Sequence, residues 1–260
     1  MALQRRAHAR GGKARGVALA AALLAALLAA IPGPPAGAAG PGGMAATYDL
    51  FLGGIRLAEL ELDAEIGRLG YSATARLETT GLVKRFVDAG FAARAEGRIA
   101  RDRLMPERFE AETRDREDRR RIAIRYPGGR PALEAEPPFK PRPWGIDPAE
   151  QAGLPDPLTG ALMALAPRDG AAPCDREVGV FDGRRRYALL LGEPEARENG
   201  LVRCEARYRR IAGFRPKRME RPELPLTLWF DRGHAGAPRL LRAVAPTPFG
   251  QAVLRRRGAG

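Results

Sequence analysis

Apolar and polar residues alternate with a period of two in many segments of this chain. From residue 58 to residue 66 the even positions are Ala, Leu or Ile, and the odd positions are all Glu or Asp. Successive side chains of a strand point to opposite faces, so this pattern predicts a strand with one buried and one solvated face. The alternation recurs in segments 71–77, 91–99, 109–113, 122–126, 174–181, 186–191, 204–209, 224–230, 240–245 and 249–254. The sequence therefore predicts a mainly β fold, a curved antiparallel meander sheet or open half-barrel.

Two short helices are predicted to interrupt the strands. Thr80 can cap a helix that runs through residue 87 and stops at Gly90. Asp156 is a stronger start signal, because this N-cap acceptor precedes Pro157 at the first helical position. The second helix carries an apolar stripe at residues 158, 162, 163 and 165 and ends at Pro167.

The interior of the predicted sheet and the loop before the second helix both bear on ligand binding. Inward positions of the first strands are largely Ala, Gly and Thr, and such small residues leave space that a helix or an apolar ligand must fill. Segment 137–155 is rich in Pro and Gly and predicts a long ordered loop. This loop contains Phe139 and Trp144, aromatic residues that a purely solvated linker does not need.

The first 43 residues have the order of regions that is typical of a secretory signal peptide. Five basic residues between positions 5 and 15 precede an uncharged apolar run at 17–31, and Ala36-Gly37-Ala38 offers a small-x-small cleavage pattern. We expect a signal peptide at 1–38, a flexible segment at 39–46, one β domain at 47–256 and a tail at 257–260. Export to a bacterial periplasm follows from this interpretation. The alternative is an uncleaved amino-terminal anchor helix, although the run is short for a bilayer span of about 20 residues.

The net charge suggests anionic partners. The chain carries a formal charge of +13, and residues 1–38 contribute five positive charges and no negative ones, which leaves +8 for the rest. Phospholipid head groups, lipopolysaccharide, acidic polysaccharide and nucleic acid all fit a basic surface. Export argues against nucleic acid, and the strands lack the basic–aromatic interleaving of stacking platforms. The alternative is that the arginine content reflects only the base composition of the genome.

The two cysteines, Cys174 and Cys204, both lie in the exported part of the chain. An isolated pair in an oxidising compartment usually forms a disulfide. A redox-active pair would favour C-x-x-C spacing, and the 30-residue separation does not resemble it. We therefore predict a structural disulfide.

Several short motifs resemble the secreted proteobacterial family called domain of unknown function 3108. The matching pieces are residues 48–50 with Gly53-Gly54, then 80–83, 156–159, 180–187, Cys204, 211–214 and 247–250. The resemblance covers about residues 47–256. It implies a fold similar to that of the periplasmic lipoprotein carrier and receptor LolA and LolB, whose curved sheet holds acyl chains under helices. It implies no activity.

The segment Val180-Phe181-Asp182-Gly183-Arg184-Arg185-Arg186-Tyr187 is the strongest candidate for ligand binding. Arg184, Arg185 and Arg186 follow a predicted turn, and their guanidinium groups could bind phosphate or carboxylate groups in bidentate fashion. Alternation sends Arg184 and Arg186 to one face and Arg185 to the other. The structural alternative is that Asp182 fixes the turn while the arginines pair with acids such as Glu177. Candidates for a lid over an apolar ligand are Phe86, Trp144 and Met163.

The residues needed for common catalytic sites are scarce in the chain after residue 38. It contains a single serine, Ser72, on a polar strand face, and a single histidine, His234, in a Gly-rich turn. A Ser-His-Asp triad needs both to converge with a carboxylate. No zinc-ligand spacing, phosphate loop or dinucleotide fingerprint is present, so neither metal nor cofactor is expected. A carboxylate pair for glycoside hydrolysis stays open, since acids are numerous.

The sequence thus predicts a periplasmic, non-catalytic domain that binds a lipid or another amphipathic, anionic envelope component. The alternative is a structural or protein-interaction module of the envelope whose sheet is filled by its own side chains. A continuous apolar cavity above about 300 Å³ would favour the carrier. Two carboxylates facing each other in a cleft would favour a glycan-active enzyme. The oligomeric state is not predicted.

Overall fold

A computed structural model describes residues 42–101, 103–116, 118–165, 172–198, 200–231 and 238–258. The predicted signal peptide at 1–38 lies outside these residues, as do His234 and the end of the predicted tail. No helix within the described ranges is long and apolar enough to cross a membrane.

The described strands form one antiparallel sheet. They are β1 Gly42–Leu52, β2 Ile55–Ile66, β3 Gly70–Thr79, β4 Ala89–Ala100, β5 Arg103–Asp115, β6 Asp118–Arg125, β7 Ala132–Glu136, β8 Arg176–Phe181, β9 Arg186–Ala196, β10 Val202–Ala212, β11 Glu223–Asp231, β12 Arg239–Thr247 and β13 Gly250–Arg256. Each strand pairs with its neighbour in sequence except across the gap between β7 and β8, and β13 returns to pair with β1. The predicted mainly β meander is confirmed. β1 begins at Gly42, within the segment 39–46 that precedes the predicted β domain.

The described helices are short and lie in the connections. They are α1 Gly81–Phe86, α2 Pro157–Leu165 and α3 Pro216–Met219, with 3-10 turns at Pro127–Gly129 and Pro148–Glu150. The first two correspond to the predicted helices, and α3 was not predicted. Asp156 caps α2 as expected, because its Oδ1 accepts hydrogen bonds from the amides of Leu158 (3.0 Å) and Thr159 (2.9 Å).

Helix α2 lies inside the curved sheet and contacts β3, β4, β5 and β8. Five alanines are among the buried, inward-facing residues of β3, β4 and β5, namely Ala73, Ala75, Ala93, Ala95 and Ala111. Seven of the nine residues of α2 are buried as well. A Cβ added at Gly160 would lie 2.5 Å from Cγ2 of Val180 on β8, so the helix packs closely on that strand. The space left by small inward residues is therefore filled by a helix.

The predicted disulfide is present between Cys174, just before β8, and Cys204 on β10. Its Cα atoms are 5.9 Å apart. Since β9 lies between β8 and β10 in the sheet, the bond links two strands that do not pair with each other.

The direction of the strands assigns each connection to one of two edges of the sheet. We call the edge at which β1 ends and β2 begins the upper edge. Because neighbours are antiparallel, β7 ends at the upper edge, and the connections β1–β2, β3–β4, β5–β6, β8–β9, β10–β11 and β12–β13 lie there. The upper edge therefore carries α1, α3 and the predicted arginine turn.

Candidate functional site

The turn between β8 and β9 is fixed by Asp182. Its Oδ1 accepts hydrogen bonds from the backbone amides of Arg184 (2.9 Å) and Arg185 (2.8 Å). Gly183 adopts a φ of +91°, and a Cβ there would lie 2.9 Å from Cδ1 of Leu133 on β7. The turn thus needs glycine for its conformation and for its contact with the other end of the sheet.

Six arginines stack on three aromatic rings beside this turn, and we call this group the arginine–aromatic cluster. The guanidinium carbons of Arg184 and Arg120 lie 4.2 and 4.9 Å from the ring centre of Phe139. Those of Arg142 and Arg215 lie 5.9 and 6.0 Å from Trp144, and those of Arg185 and Arg210 lie 5.5 and 5.9 Å from Phe214. These distances are in the range of cation–π contacts.

The cluster brings together parts of the chain that are distant in sequence. Its members come from β6, the loop after β7, the β8–β9 turn, the end of β10 and the connection to α3. The loop with Phe139 and Trp144 therefore meets the β8–β9 turn, which shows that the rolled sheet brings the two ends of its upper edge together. The loop is held further by Arg120, whose side chain donates a hydrogen bond to the carbonyl of Pro137.

The cluster is poor in carboxylates, unlike the outward face of the sheet. Of the six cluster arginines, one forms an ion pair within the described ranges: Arg185 lies 3.9 Å from the carboxylate of Asp182. By contrast, arginines on the strands face acids directly across the ladder. The pairs are Arg121–Glu112 (2.9 Å), Arg209–Glu223 (2.8 Å) and Arg239–Asp231 (2.5 Å). The excess positive charge is therefore local to the cluster.

The electrostatic effect of this crowding is visible at Arg184. Burial lowers the pKa of its guanidinium, and the charges of Arg142, Arg185 and Arg120 lower it further, against the attraction of Asp182. Burial also raises the pKa of the Asp182 carboxyl, opposed by the charge of Arg185. An anion placed among these groups would relieve the repulsion, because guanidiniums bind phosphate and carboxylate oxygens strongly.

The structure brings together only some of the residues predicted from sequence. Arg184, Arg185 and Trp144 are in the cluster, and the first two lie over different rings. Arg186 begins β9, is exposed, and forms no ion pair within the described ranges. Phe86 is exposed at the end of α1, and Met163 packs against the core from α2. No ring contact joins these three residues to the cluster in the described chain.

Sequence reasoning missed five members of the cluster, namely Arg120, Arg142, Arg210, Phe214 and Arg215. The unexplained aromatic residues of loop 137–155 were a signal for this site. Outside the loop itself, the partners of those two rings lie on β6, in the β8–β9 turn and before α3, so only the rolling of the sheet reveals them.

Residues 47–255 match the family described as protein of unknown function, DUF3108. This chain belongs to the DUF3108 family. The predicted resemblance is confirmed at that level, while a likeness to LolA and LolB stays a prediction. No curated protein matches the chain.

One solved structure, a beta-barrel-like protein of domain of unknown function DUF1849 from Brucella abortus, is similar to this DUF3108 chain. It is 13% identical in sequence, with a TM-score of 0.45, and the alignment covers 83% of this chain and 94% of that one.

A second group of polar residues lies inside the DUF3108 domain, at the start of α2. Oδ2 of Asp156 accepts a hydrogen bond from the Thr159 hydroxyl (2.6 Å), which is 2.7 Å from the Tyr71 hydroxyl on β3. Burial raises the pKa of the Asp156 carboxyl to about 6, although the hydrogen bonds from Thr159 and Leu158 lower it. Burial likewise raises the pKa of Tyr71 and of the neighbouring Tyr126, and the charge of Asp156 adds to both. This group joins α2 to the sheet.

Ser72 and the acidic residues, which the sequence analysis considered for catalysis and metal binding, can be located in the described chain. Ser72 lies on β3 opposite Glu65 and Glu96, on the polar face of the sheet. No group of three or more His, Cys, Asp or Glu side chains within the described ranges could hold a metal ion. A groove of about 790 Å³ crosses the outward face of β2–β7, and charged side chains of both signs line it. This groove differs from the apolar interior cavity expected of a carrier.

Proposed function

We propose that this DUF3108 domain is an exported, non-catalytic protein that binds an anionic group of an envelope component through the arginine–aromatic cluster. The single observation that supports the proposal is the stacking of six arginines on three neighbouring rings, where the described residues include one arginine–carboxylate pair, Arg185–Asp182. Holding like charges this close is unfavourable unless an anion or the rings offset the repulsion.

The proposal places the anion outside the sheet. Helix α2 occupies the interior next to β3, β4, β5 and β8, which is where an acyl chain would lie in a carrier. The cluster is instead at the upper edge, where Arg184 and Arg185 are half-buried rather than sealed. A phosphate or carboxylate could therefore reach the guanidiniums while the rest of the ligand stays outside.

Calorimetric titration of the purified domain with three soluble probes tests this function. The probes are inorganic phosphate, monomeric dihexanoylphosphatidylglycerol and monomeric dihexanoylphosphatidylcholine. We expect the phosphatidylglycerol probe to bind and the phosphatidylcholine probe not to bind. The affinity for the phosphatidylglycerol probe should fall as the salt concentration rises. Binding of inorganic phosphate with equal affinity would identify a phosphate site without a lipid preference.

Variants of the cluster separate binding from structure. The double variant R142Q/R184Q should lower affinity for the phosphatidylglycerol probe at least tenfold, since each lost charge-assisted hydrogen bond contributes about 1.5–3 kcal/mol. The matched control R94Q/R98Q removes two charges from strand β4, where Arg94 and Arg98 pair with Glu96 and Glu107. The proposal would be overturned if both variants lost the same affinity for the phosphatidylglycerol probe. It would also be overturned if the phosphatidylcholine probe bound equally well, or if a thymidine oligonucleotide bound more tightly than the phosphatidylglycerol probe.

A second candidate function is favoured by the filled interior. A structural or interaction module would use the same cation–π contacts only to hold loop 137–155 across the gap between β7 and β8. In that case R142Q/R184Q would lower the unfolding midpoint, and none of the three probes would bind to the unaltered protein.

A further inference from the structure

Exposed apolar side chains in the described chain are concentrated at the upper edge. Six large ones stand out, namely Ile55, Leu69, Phe86, Ile211, Met219 and Phe249. Five of them lie at the upper edge, and only Leu69, in the β2–β3 turn, lies at the opposite edge. Isolated exposed apolar residues are ordinary, but their grouping at one edge marks an interaction surface.

Three of these residues belong to neighbouring connections. Ile55, Phe86 and Phe249 are 63%, 74% and 61% exposed. The β1–β2 and β12–β13 turns are in contact, since the amide of Gly53 donates a hydrogen bond to the carbonyl of Gln251 (3.0 Å). A Cβ at Gly53 would lie 3.0 Å from the carbonyl oxygen of Phe249. We call the surface formed by these two turns and α1 the apolar tip.

Helix α1 is tied to the same place. The amide of Thr80 donates a hydrogen bond to the carbonyl of Leu57 at the start of β2 (2.9 Å). On its other side, Arg116 of the β5–β6 turn donates a side-chain hydrogen bond to the carbonyl of Phe86 (3.2 Å). The motifs 53–54, 80–83 and 247–250, which the interior packing does not explain, thus meet at this tip.

Basic side chains surround the apolar tip. Lys84, Arg85 and Arg116 are exposed, and none of them forms an ion pair within the described ranges. Two of the nearby acids have arginine partners, since Asp88 pairs with Arg114 (2.7 Å) and Asp49 with Arg56 (2.8 Å), whereas Asp115 and Asp118 of the β5–β6 turn are exposed. The lysines that follow residue 38 are Lys84, Lys140 and Lys217, and all three belong to connections at the upper edge.

We propose that the apolar tip docks on the surface of an anionic lipid bilayer. Apolar side chains flanked by unpaired cations match a membrane interface, where the chains enter the head-group region and the cations contact lipid phosphates. Lys84, Arg85 and Arg116 form no ion pair in the described part of the chain, so their charges are available to lipid phosphates. The proposal does not rest on the arginine–aromatic cluster and can fail independently of it.

Vesicle flotation with the purified domain tests the docking surface. The vesicles contain phosphatidylglycerol and phosphatidylcholine in equal amounts, or phosphatidylcholine alone. We expect binding to the anionic vesicles, weakened by salt, and at least tenfold less binding for F86D/F249D. The variant K84Q/R85Q should lose about fivefold per charge removed. The conservative variant F86L/F249L should keep binding, which a structural role for aromatic rings would not allow.

Matched controls locate the effect. L69D introduces one aspartate, against two in F86D/F249D, at a position that is 82% exposed at the opposite edge, and its binding should stay within twofold of the unaltered protein. R94Q/R98Q removes two charges from strand β4, where Arg94 and Arg98 pair with Glu96 and Glu107, and it should keep at least half of the vesicle binding. The proposal is overturned if L69D loses as much as F86D/F249D, if R94Q/R98Q loses as much as K84Q/R85Q, or if the unaltered protein floats equally with both vesicles. Light scattering that shows a dimer abolished by F86D/F249D would also overturn it.

Discussion

Replacing the buried cap Asp156 by asparagine should remove a pH dependence that the folded protein otherwise has. The D156N variant keeps the hydrogen-bonding pattern, because an amide oxygen can accept from the backbone amides of Leu158 and Thr159. Its amide NH₂ can donate to the Thr159 hydroxyl, which can in turn donate to Tyr71. Asn and Asp are about equal as helix N-caps. The substitution therefore changes mainly the charge.

The magnitude follows from the pKa of Asp156. Burial raises that pKa from 3.8 to about 6, so the folded protein holds the proton more tightly than the unfolded chain. Stability from this group is fully present below about pH 4 and is lost as the pH rises through about 6. One pKa unit corresponds to about 1.4 kcal/mol, so the whole effect is about 3 kcal/mol. About 2 kcal/mol of it falls between pH 4.5 and pH 7.5.

Urea unfolding of both proteins at pH 4.5 and pH 7.5 measures the effect. The difference in unfolding free energy between the unaltered protein and D156N cancels the contributions of other groups. Relative to D156N, the unaltered protein should be about 2 kcal/mol more stable at pH 4.5 than at pH 7.5. A difference that stays within about 0.5 kcal/mol at the two pH values, or that changes with the opposite sign, would refute the reasoning.

The choice of a difference measurement matters because other carboxyls titrate in the opposite direction. The pKa of Asp49 is lowered overall, since Arg257 and Arg56 outweigh the effect of its burial. Its ion pairs therefore weaken as the pH falls in the unaltered protein and in D156N alike, so this contribution cancels in the difference between them. D147N is the matched control, because the exposed Asp147 caps the 3-10 turn Pro148–Glu150 through the amide of Ala149 (2.9 Å).

Two further predictions concern the packing around α2 and the disulfide. G160A should destabilise the protein by about 1–3 kcal/mol in urea unfolding, because the alanine Cβ would crowd Val180. This loss should exceed the gain from the higher helix propensity of alanine. Unchanged or increased stability would show that α2 can shift on β8. Thiol labelling of the unfolded, unreduced protein should find no free thiol at Cys174 or Cys204, and two labelled thiols would contradict the disulfide. The variant C174S/C204S should lower the free energy of unfolding by about 3 kcal/mol.

The sequence predicts the local elements well because their signals are local. The alternation at 58–66 reappears as buried Ala58, Leu60, Leu62 and Ala64 on β2, and the cap signal at Asp156 reappears with its hydrogen bonds. The start of β1 at Gly42 could not be predicted from the sequence, because Gly42 and Gly43 show no alternation of apolar and polar residues. Strand pairing in β1 nevertheless continues to Gly42, opposite Ile66.

The contents of the sheet could not be predicted in the same way. Small inward residues such as Ala73 and Ala93 fit an acyl chain and a helix equally well in sequence. The deciding contact, between α2 and β3, β4 and β5, joins segments more than 40 residues apart. The contact between the Tyr71 and Thr159 hydroxyls, 2.7 Å apart, could not be predicted either. The sequence pattern assigns one residue to a strand and the other to a helix, and it does not show that the two meet.

The arginine content illustrates why composition alone leaves function open. A bias in base composition predicts arginines wherever the chain tolerates them, and on the strands they are tolerated opposite acids, as at Arg121–Glu112 and Arg209–Glu223. The arginine–aromatic cluster is a different environment, since the pKa of Arg184 is lowered by burial and by three other arginines. Repulsion of this kind disfavours the folded state, so bias alone does not explain the arrangement. The rings offset part of the cost, and a bound anion would offset the rest, which makes this edge of the sheet the place to look for a ligand.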